Sequence, residues 1–301
     1  MFIQPREVGG EEIESLCDLK SAMESQSRVF RNFHEGSAYL APRAVLSQGN
    51  NAQFAYLARA SEEGPTIVKY GTVFPDNAKL GKPVVQTSII SLSPLDGSVE
   101  YVFDGEAVTK LRTVAASMVA IQALLSPSVK VDQVGVVGLG HQGIAHADAI
   151  RQLFPSARII GISSRIASHP SFDVVTTDIE SLKECQIIIL ATSSSQPVLH
   201  RVTPGSTVIS IGSFAPNRSE VSLDVMKAAN HIVVDDLATA STQCGAIVNA
   251  GTETIVPIKT LGSILAQRSF SREPNDVAIY FSVGLGIQDA ALIEHLLSRI
   301  A

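Results

Sequence analysis

The sequence predicts an α/β protein in two parts, an α+β domain followed by a doubly wound parallel sheet. Three observations predict it. From about residue 130 onward, short apolar strands alternate with helical stretches, the pattern of a parallel sheet covered on both faces. Residues 51–105 instead carry β-branched and aromatic runs broken by turn residues, the pattern of an antiparallel meander. The mid-chain segment VGVVGLGHQGIAH, Val134 to His146, reads as a buried strand, a glycine-rich turn and a helix.

The chain has 301 residues, enough for two cores, and 45% hydrophobic with 17% charged residues predicts a folded globular protein. A net charge of −6 without a long basic run makes nucleic acid and anionic membrane poor partners. No apolar run reaches the length of a membrane span. The start, MFIQPREVGGEEIESL, lacks the basic-then-apolar pattern of a signal peptide. Cys17, Cys185 and Cys244 stand alone, without a CxxC pair or a histidine at ligand spacing. No metal site is expected, and a reducing, cytoplasmic setting fits.

In chain order, Ile13, Leu16, Leu19, Met23 and Phe30 give residues 10–35 helical spacing. The runs NAQFAYLARA, TIVKYGTVF, PVVQTSIISLS and SVEYVFDG come next, separated by Glu-Glu-Gly, Pro-Asp-Asn and Pro-Leu-Asp-Gly. They predict strands with a helix packed on them. Asp104 suits an N-cap for a long helix, EAVTKLRTVAASMVAIQALL, which Ser126-Pro127 ends. Strands are expected at 133–137, 158–163, 173–176, 186–191, 206–211, 231–235 and 277–281. Helices are expected at 142–153, 178–184, 222–229 and 286–299. The domain boundary is expected at residue 114, with 114–285 as a Rossmann-type dinucleotide-binding domain. The last helix, 286–301, is expected to return to residues 1–113.

The glycine turn carries the first chemistry. Gly138, Gly140 and Gly143 stand in GxGxxG spacing between strand and helix. One glycine permits the tight turn, one lets backbone approach a diphosphate, and one allows close helix–strand packing. The helix N-terminus adds free N–H groups and the positive end of its dipole. An NAD site usually places an acid at the end of the second strand to hold the ribose hydroxyls. Here that end reads Ser163-Ser164-Arg165. Two hydroxyls and a guanidinium suit a 2′-phosphate, which favours NADP(H) over NAD(H). The alternative is that Arg165 is a solvated loop residue.

At this point DGEAVTKLRTVAAS, GLGHQGIAH, IGSFAPNRSE and FSVGLGIQDAA together resemble the ornithine cyclodeaminase/mu-crystallin family, over about residues 40–292. The resemblance implies a first domain that binds substrate and forms homodimers. It implies substrate contacts at Arg43, Lys69 and Arg112, with Lys69 the candidate proton donor. It implies cofactor contacts at Arg112 and Thr113, at His141 and Gln142 in the glycine turn, and at Thr192. Ile211, Gly212, Ser213, Phe214 and Arg218 line the matching loop, and Ser282 and Val283 the loop beside the nicotinamide. Asp289 is read as a helix-positioning or loop-anchoring residue, and His146 as structural. Independently, a small imino or amino acid presents a carboxylate, which suits a bidentate arginine and a lysine. A lysine between apolar strand residues is expected to have a lowered pKa and to donate a proton.

One position departs from the family's cyclodeaminases, which carry an acid in the loop where this chain has Phe214. An aromatic ring neither accepts a proton nor pairs with a second ammonium group. The expected activity is therefore NAD(P)H-dependent reduction of an imine of a small 2-oxo acid. A cyclic ketimine carboxylate such as pyrroline-2-carboxylate, reduced to proline, is the leading substrate. The alternatives are an ornithine cyclodeaminase-type, alanine dehydrogenase-like or opine synthase-like oxidoreductase, and a non-catalytic NADPH-binding protein of the mu-crystallin kind.

Overall fold

The structure is a computed structural model that describes residues 4–253, 256–267 and 270–300. It divides into two compact units, Met1–Ala115 with Leu285–Ala301, and Ala116–Gly284.

The first unit opens with β1 (Arg6–Val8), α1 (Gly10–Leu16) and α2 (Leu19–Glu35). The helix expected over 10–35 is thus two helices. Cys17 leaves helical geometry, and the Asp18 carboxylate accepts from Ser21 N at 2.7 Å, capping α2 anew. Then come β2 (Tyr39–Leu40), β3 (Ala44–Gln48), β4 (Asn51–Arg59), β5 (Thr66–Val73), β6 (Val85–Leu92) and β7 (Val99–Asp104). Strands β4 to β7 form an antiparallel meander, while β1 adds to β7 in parallel. That edge strand is too short to read from sequence.

The meander's two faces arise from the period of two. Tyr56, Lys69, Ile89 and Phe103 stand in one cross-strand row, and all four are buried. Leu57 and Tyr70 point the other way and are exposed. α3 (Gly105–Leu124) starts where β7 stops, its first N–H groups held by Asp104 Oδ1, which accepts from Glu106 N and Ala107 N.

The second unit holds β8 (Gln133–Val137), α4 (His141–Leu153), β9 (Arg158–Ile162), β10 (Val174–Thr176), β11 (Ile187–Leu190) and β12 (Thr207–Ser210). It continues with α5 (Leu223–Ala228), β13 (His231–Val234), α6 (Leu237–Gln243), α7 (Gly245–Ala250), β14 (Ile258–Thr260), α8 (Leu261–Gln267) and β15 (Ala278–Phe281). The helical segment expected at 178–184 is a 3-10 turn over Ile179–Glu184. Helices α6, α7 and α8 and strand β14 were not expected from sequence.

All eight strands are parallel, in the order β10-β9-β8-β11-β12-β15-β13-β14. Strands β11, β12 and β15 are buried throughout, as inner strands of a sheet covered on both faces must be. The chain leaves β8 toward β9 and β10, then crosses back to β11 on the other side. That reversal makes the C-terminal ends of β8 and β11 the topological switch point, where such sheets bind ligands.

The last helix, α9 (Gly286–Ile300), belongs to the first unit and packs against α2 and β4. Its first two turns are almost wholly buried, Gln288 and Asp289 included.

Candidate active site

In the second unit the glycine turn sits at the switch point. Gly138 adopts φ 90°, and a Cβ there would lie 2.6 Å from the Ala191 carbonyl oxygen. A Cβ on Gly143 would lie 1.9 Å from the Gly138 carbonyl oxygen, so helix α4 can approach the turn this closely only with glycine. Gly140 differs. A Cβ there would meet nothing within 4 Å, so its backbone faces open space. As N-cap of α4 it offers no side chain to the first-turn N–H groups. Open glycine backbone at an uncapped helix N-terminus fits a diphosphate. His141 is exposed, and Gln142 Oε1 is buried without a hydrogen bond among the described residues. His146 is fully buried, its Nδ1 2.7 Å from Gln142 O and its Nε2 2.9 Å from Ser117 Oγ. Burial lowers its pKa to about 4, so it is a neutral ring tying α3 to the first turn of α4.

At the end of β9, Ser163 Oγ accepts from Arg165 N and Ile166 N, both at 3.1 Å. This turn leaves Ser164 and Arg165 exposed.

The ends of β11 and β12 are joined by Glu220, whose side chain is fully buried. Oε1 accepts from Thr192 N at 2.7 Å and Thr192 Oγ1 at 2.8 Å, and Oε2 from Ser210 Oγ at 2.8 Å and Gly212 N at 2.7 Å. The Glu220 N–H donates to Ser213 Oγ at 3.0 Å. Asp235, just past β13, does similar work for β15, accepting from Ser282 Oγ, Val283 N, Gly284 N and the Tyr280 hydroxyl. Phe214 is 44% exposed, with the Arg218 guanidinium 4.9 Å from its ring centre. Arg218 Nη2 also donates to Ser193 O at 3.1 Å.

In the first unit two of the expected basic residues, Lys69 and Arg112, converge on one carboxylate, Asp289. Asp289 Oδ1 accepts from Lys69 Nζ at 2.9 Å and Arg112 Nε at 3.3 Å, and Oδ2 from the Tyr56 hydroxyl at 2.7 Å. Lys69 Nζ also donates to Thr109 Oγ1 at 2.5 Å. Arg112 Nη1 donates to Gln288 Oε1 at 3.1 Å. The Arg43 guanidinium lies 5.7 Å from the Phe54 ring centre and 5.4 Å from that of Tyr56. Thr113 Oγ1 donates to Thr109 O at 2.6 Å.

The electrostatics are set by burial. Burial lowers the Lys69 ammonium to about 8; Asp289 opposes that shift, while the Arg112 charge adds to it. Burial pushes the Asp289 carboxyl up, but the charges of Lys69 and Arg112 outweigh it and hold the group below the usual range. Burial, with the Asp289 charge, drives the Tyr56 phenol well above its ordinary value, so it stays a neutral donor. The cluster therefore holds an ammonium able to release its proton near neutral pH, beside a fixed guanidinium and an ionised carboxylate.

Sequence reasoning named Lys69 and Arg112 but not their common acceptor, Asp289. Asp289 is more than the helix-positioning or loop-anchoring residue expected, because it is the counter-ion of Lys69 and Arg112. Tyr56 was missed as well. One signal for it was available, since alternation along β4 and along β5 puts Tyr56 and Lys69 each on the core face. Glu220 and Asp235 carried no periodic signal, as each lies past a strand in irregular chain. Among the described residues, no group of three or more His, Cys, Asp or Glu side chains is placed to hold a metal, and no helix is long and apolar enough to cross a membrane.

Comparison with known proteins gives a consistent picture. The model of the ornithine cyclodeaminase/mu-crystallin family matches residues 9–300. The alanine dehydrogenase of Archaeoglobus fulgidus is 28% identical over 298 residues, covering 94% of this chain and 91% of its own. Delta(1)-pyrroline-2-carboxylate reductase 1 of Burkholderia multivorans is 28% identical over 251 residues, covering 79% of each chain. Among solved structures, an archaeal alanine dehydrogenase dimer with bound NAD superposes with a TM-score of 0.86 at 25% identity. That match covers 98% of this chain and 95% of the other.

Proposed function

The chain belongs to the ornithine cyclodeaminase/mu-crystallin family, and on that premise we propose that it is a nicotinamide-dependent imine reductase. Its substrate class is the imine of a small 2-oxo acid, with a cyclic ketimine carboxylate such as pyrroline-2-carboxylate as the leading member. The observation that carries this reading is the Lys69 ammonium, buried against Asp289 with its pKa brought down to about 8. An acid of that strength protonates an imine nitrogen at neutral pH. The Burkholderia multivorans relative, a pyrroline-2-carboxylate reductase by name, supports the substrate class.

Each residue has a role in this proposal. Arg43 and Arg112 bind the substrate carboxylate, Arg112 with its orientation fixed by Asp289 and Gln288. Lys69 gives its proton to the imine nitrogen, and Asp289 holds the Lys69 head and Arg112 in register. Phe214 and Val283 bound the substrate's apolar part. The second unit holds the dinucleotide through Gly138, Gly140, His141, Gln142 and Gly143 around the diphosphate. Thr192, Ile211, Gly212, Ser213, Arg218 and Ser282 serve the nicotinamide half, and the family resemblance assigns Arg112 and Thr113 to the cofactor as well. The bound reduced nicotinamide supplies the hydride that the imine carbon receives. NADP(H) is preferred over NAD(H), because Ser163, Ser164 and Arg165 replace the acid that an NAD site uses.

The protein acts in the cytoplasm as a homodimer paired through the first unit. Its three cysteines are all free and buried, and Leu46, Leu57 and Tyr70 stand exposed at 73%, 47% and 48% on the meander's outer face. The archaeal alanine dehydrogenase of similar fold is itself a dimer.

A second reading has a specific observation in its favour. The Archaeoglobus fulgidus relative, similar over nearly the whole chain, is an alanine dehydrogenase. The same residues would then take up the amine proton in oxidative deamination. Steady-state assays separate the two. Reduced cofactor is supplied with pyrroline-2-carboxylate, piperideine-2-carboxylate, or pyruvate plus ammonia. The proposal expects the cyclic imines to give the highest kcat/KM. Preference for pyruvate plus ammonia favours the second reading. Cofactor binding without turnover of any of these contradicts both.

A further inference from the structure

Glu220 stands outside the residues assigned above, and the geometry points to a task for it. We propose that Glu220 is the positioning residue of the cofactor crevice. Its buried carboxylate locks the ends of β11 and β12 into the one arrangement that seats Thr192 against the glycine turn. The inference rests on the reading that the second unit binds a nicotinamide dinucleotide.

Three observations carry it. First, the carboxylate is saturated. Four donors reach it at 2.7–2.8 Å, two on each oxygen, which matches the acceptor capacity of an ionised carboxylate. A carboxylate that only needed solvation would not require donors from two different strand ends. Second, the contact reaches the turn itself. Thr192 Cγ2 lies 3.0 Å from where a Cβ on Gly138 would stand, so the residue Glu220 holds is packed against the first glycine. Third, Gly212 is held from both sides. A Cβ there would lie 2.5 Å from the Glu220 carboxyl and 2.5 Å from the Thr192 carbonyl oxygen. One side chain thus fixes the spacing of two strand ends at the switch point, and Ser213 is tied in through the Glu220 N–H.

Residue type matters for the same reason. Glutamine keeps the shape but replaces one oxygen by an NH2 group, which cannot accept. Either the Thr192 pair or the Ser210/Gly212 pair then faces a donor and must move. A buried N–H left without an acceptor is costly, so the local chain shifts to relieve it. The strand ends open, and the seat for the dinucleotide loosens.

The test uses the full-length protein and measures dinucleotide affinity by the fluorescence of the reduced cofactor, with thermal unfolding recorded alongside. Glu220→Gln is expected to raise Kd for NADPH about tenfold or more. Ser210→Ala, which removes one hydroxyl donor and is not itself a proposed cofactor contact, is expected to raise Kd by a smaller factor with an almost unchanged Tm. It keeps the proposal testable if Glu220→Gln does not fold. Measurements are made well below each Tm, so a purely structural role would lower Tm and leave Kd at the wild-type value. Wild-type Kd in Ser210→Ala, and in Glu220→Gln where it folds, overturns the proposal. If the wild-type protein binds neither NADPH nor NADH, the reading beneath it has failed instead.

Discussion

The Lys69 ammonium lies 2.9 Å from Asp289 Oδ1, with Lys69 3% and Asp289 0% exposed. A buried pair of this kind is weak ground for stability, because desolvation offsets much of the attraction. In the proposed function its value is a charged acid held in place. Lys69→Met is expected to lower turnover of a cyclic imine by about two to four orders of magnitude, the usual worth of a general acid. NADPH affinity should be unchanged. It is also expected to destabilise the fold by about 3–5 kcal/mol, because Asp289 loses a partner. Wild-type turnover from folded Lys69→Met would remove Lys69 from the chemistry.

The pH profile tests the same acid without a mutation. Lys69 donates only while protonated, so reductive turnover should fall as pH rises through about 8. Unfolding does not mimic this limb. The folded-state pKa lies below the ordinary lysine value of 10.5, so the unfolded chain binds more protons between the two values. The Lys69 contribution to stability therefore rises across that window. Asp289 works at the other end. Its carboxyl is held below the ordinary range, so its contribution is present at neutral pH and is lost as pH falls below about 4. Stopped-flow rates with Tm at each pH separate chemistry from folding, and a flat profile across pH 7–9 would count against the assignment.

Cofactor choice is read at Arg165. If the proposed NADP(H) preference holds, Arg165→Ala should weaken NADPH binding about tenfold or more while leaving NADH nearly as it was, since the guanidinium would meet only the 2′-phosphate. Isothermal titration with both dinucleotides gives the ratio. An unchanged ratio would make Arg165 a solvated loop residue.

Phe214 bears on what is not catalysed. With an aromatic ring at this place in the loop, ornithine supplied with oxidised cofactor should release no ammonia above background. Ammonia detected at a rate comparable to imine reduction would restore a cyclodeaminase reading.

The outer face of the meander predicts association. Leu46→Glu together with Tyr70→Glu puts charge where Leu46, Leu57 and Tyr70 now expose apolar surface. Sedimentation equilibrium should move from dimer to monomer, because like charges from the two copies would then be buried face to face. A double variant that remains dimeric would place the interface elsewhere.

How much of this was legible in the sequence depended on the kind of signal. The inner strands of the parallel sheet were readable because they are buried on both sides, whereas the part-exposed edge strand β14 was missed. Ile187–Leu190 is a run of four apolar residues that does no other job. The glycine turn was readable because Gly138, Gly140 and Gly143 have fixed spacing. The break between α1 and α2 left a trace that the apolar period concealed, the aspartate at 18 that caps α2. The partner of Lys69 was not readable at all. Asp289 lies 220 residues on, and only the folded chain brings the two together. Glu220 failed for another reason. It lies past a strand in irregular chain, with no period to mark it as buried, yet four donors from the ends of β11 and β12 take it inside.

The most direct test of the central claim tracks the hydrogen itself. The protein is incubated with pyrroline-2-carboxylate and NADPH deuterated at the transferable position, and the product is analysed by mass spectrometry and NMR. The account predicts proline carrying one deuterium at the α-carbon, formed one for one with oxidised cofactor. Unlabelled proline, or unchanged imine beside bound and unoxidised cofactor, would contradict it.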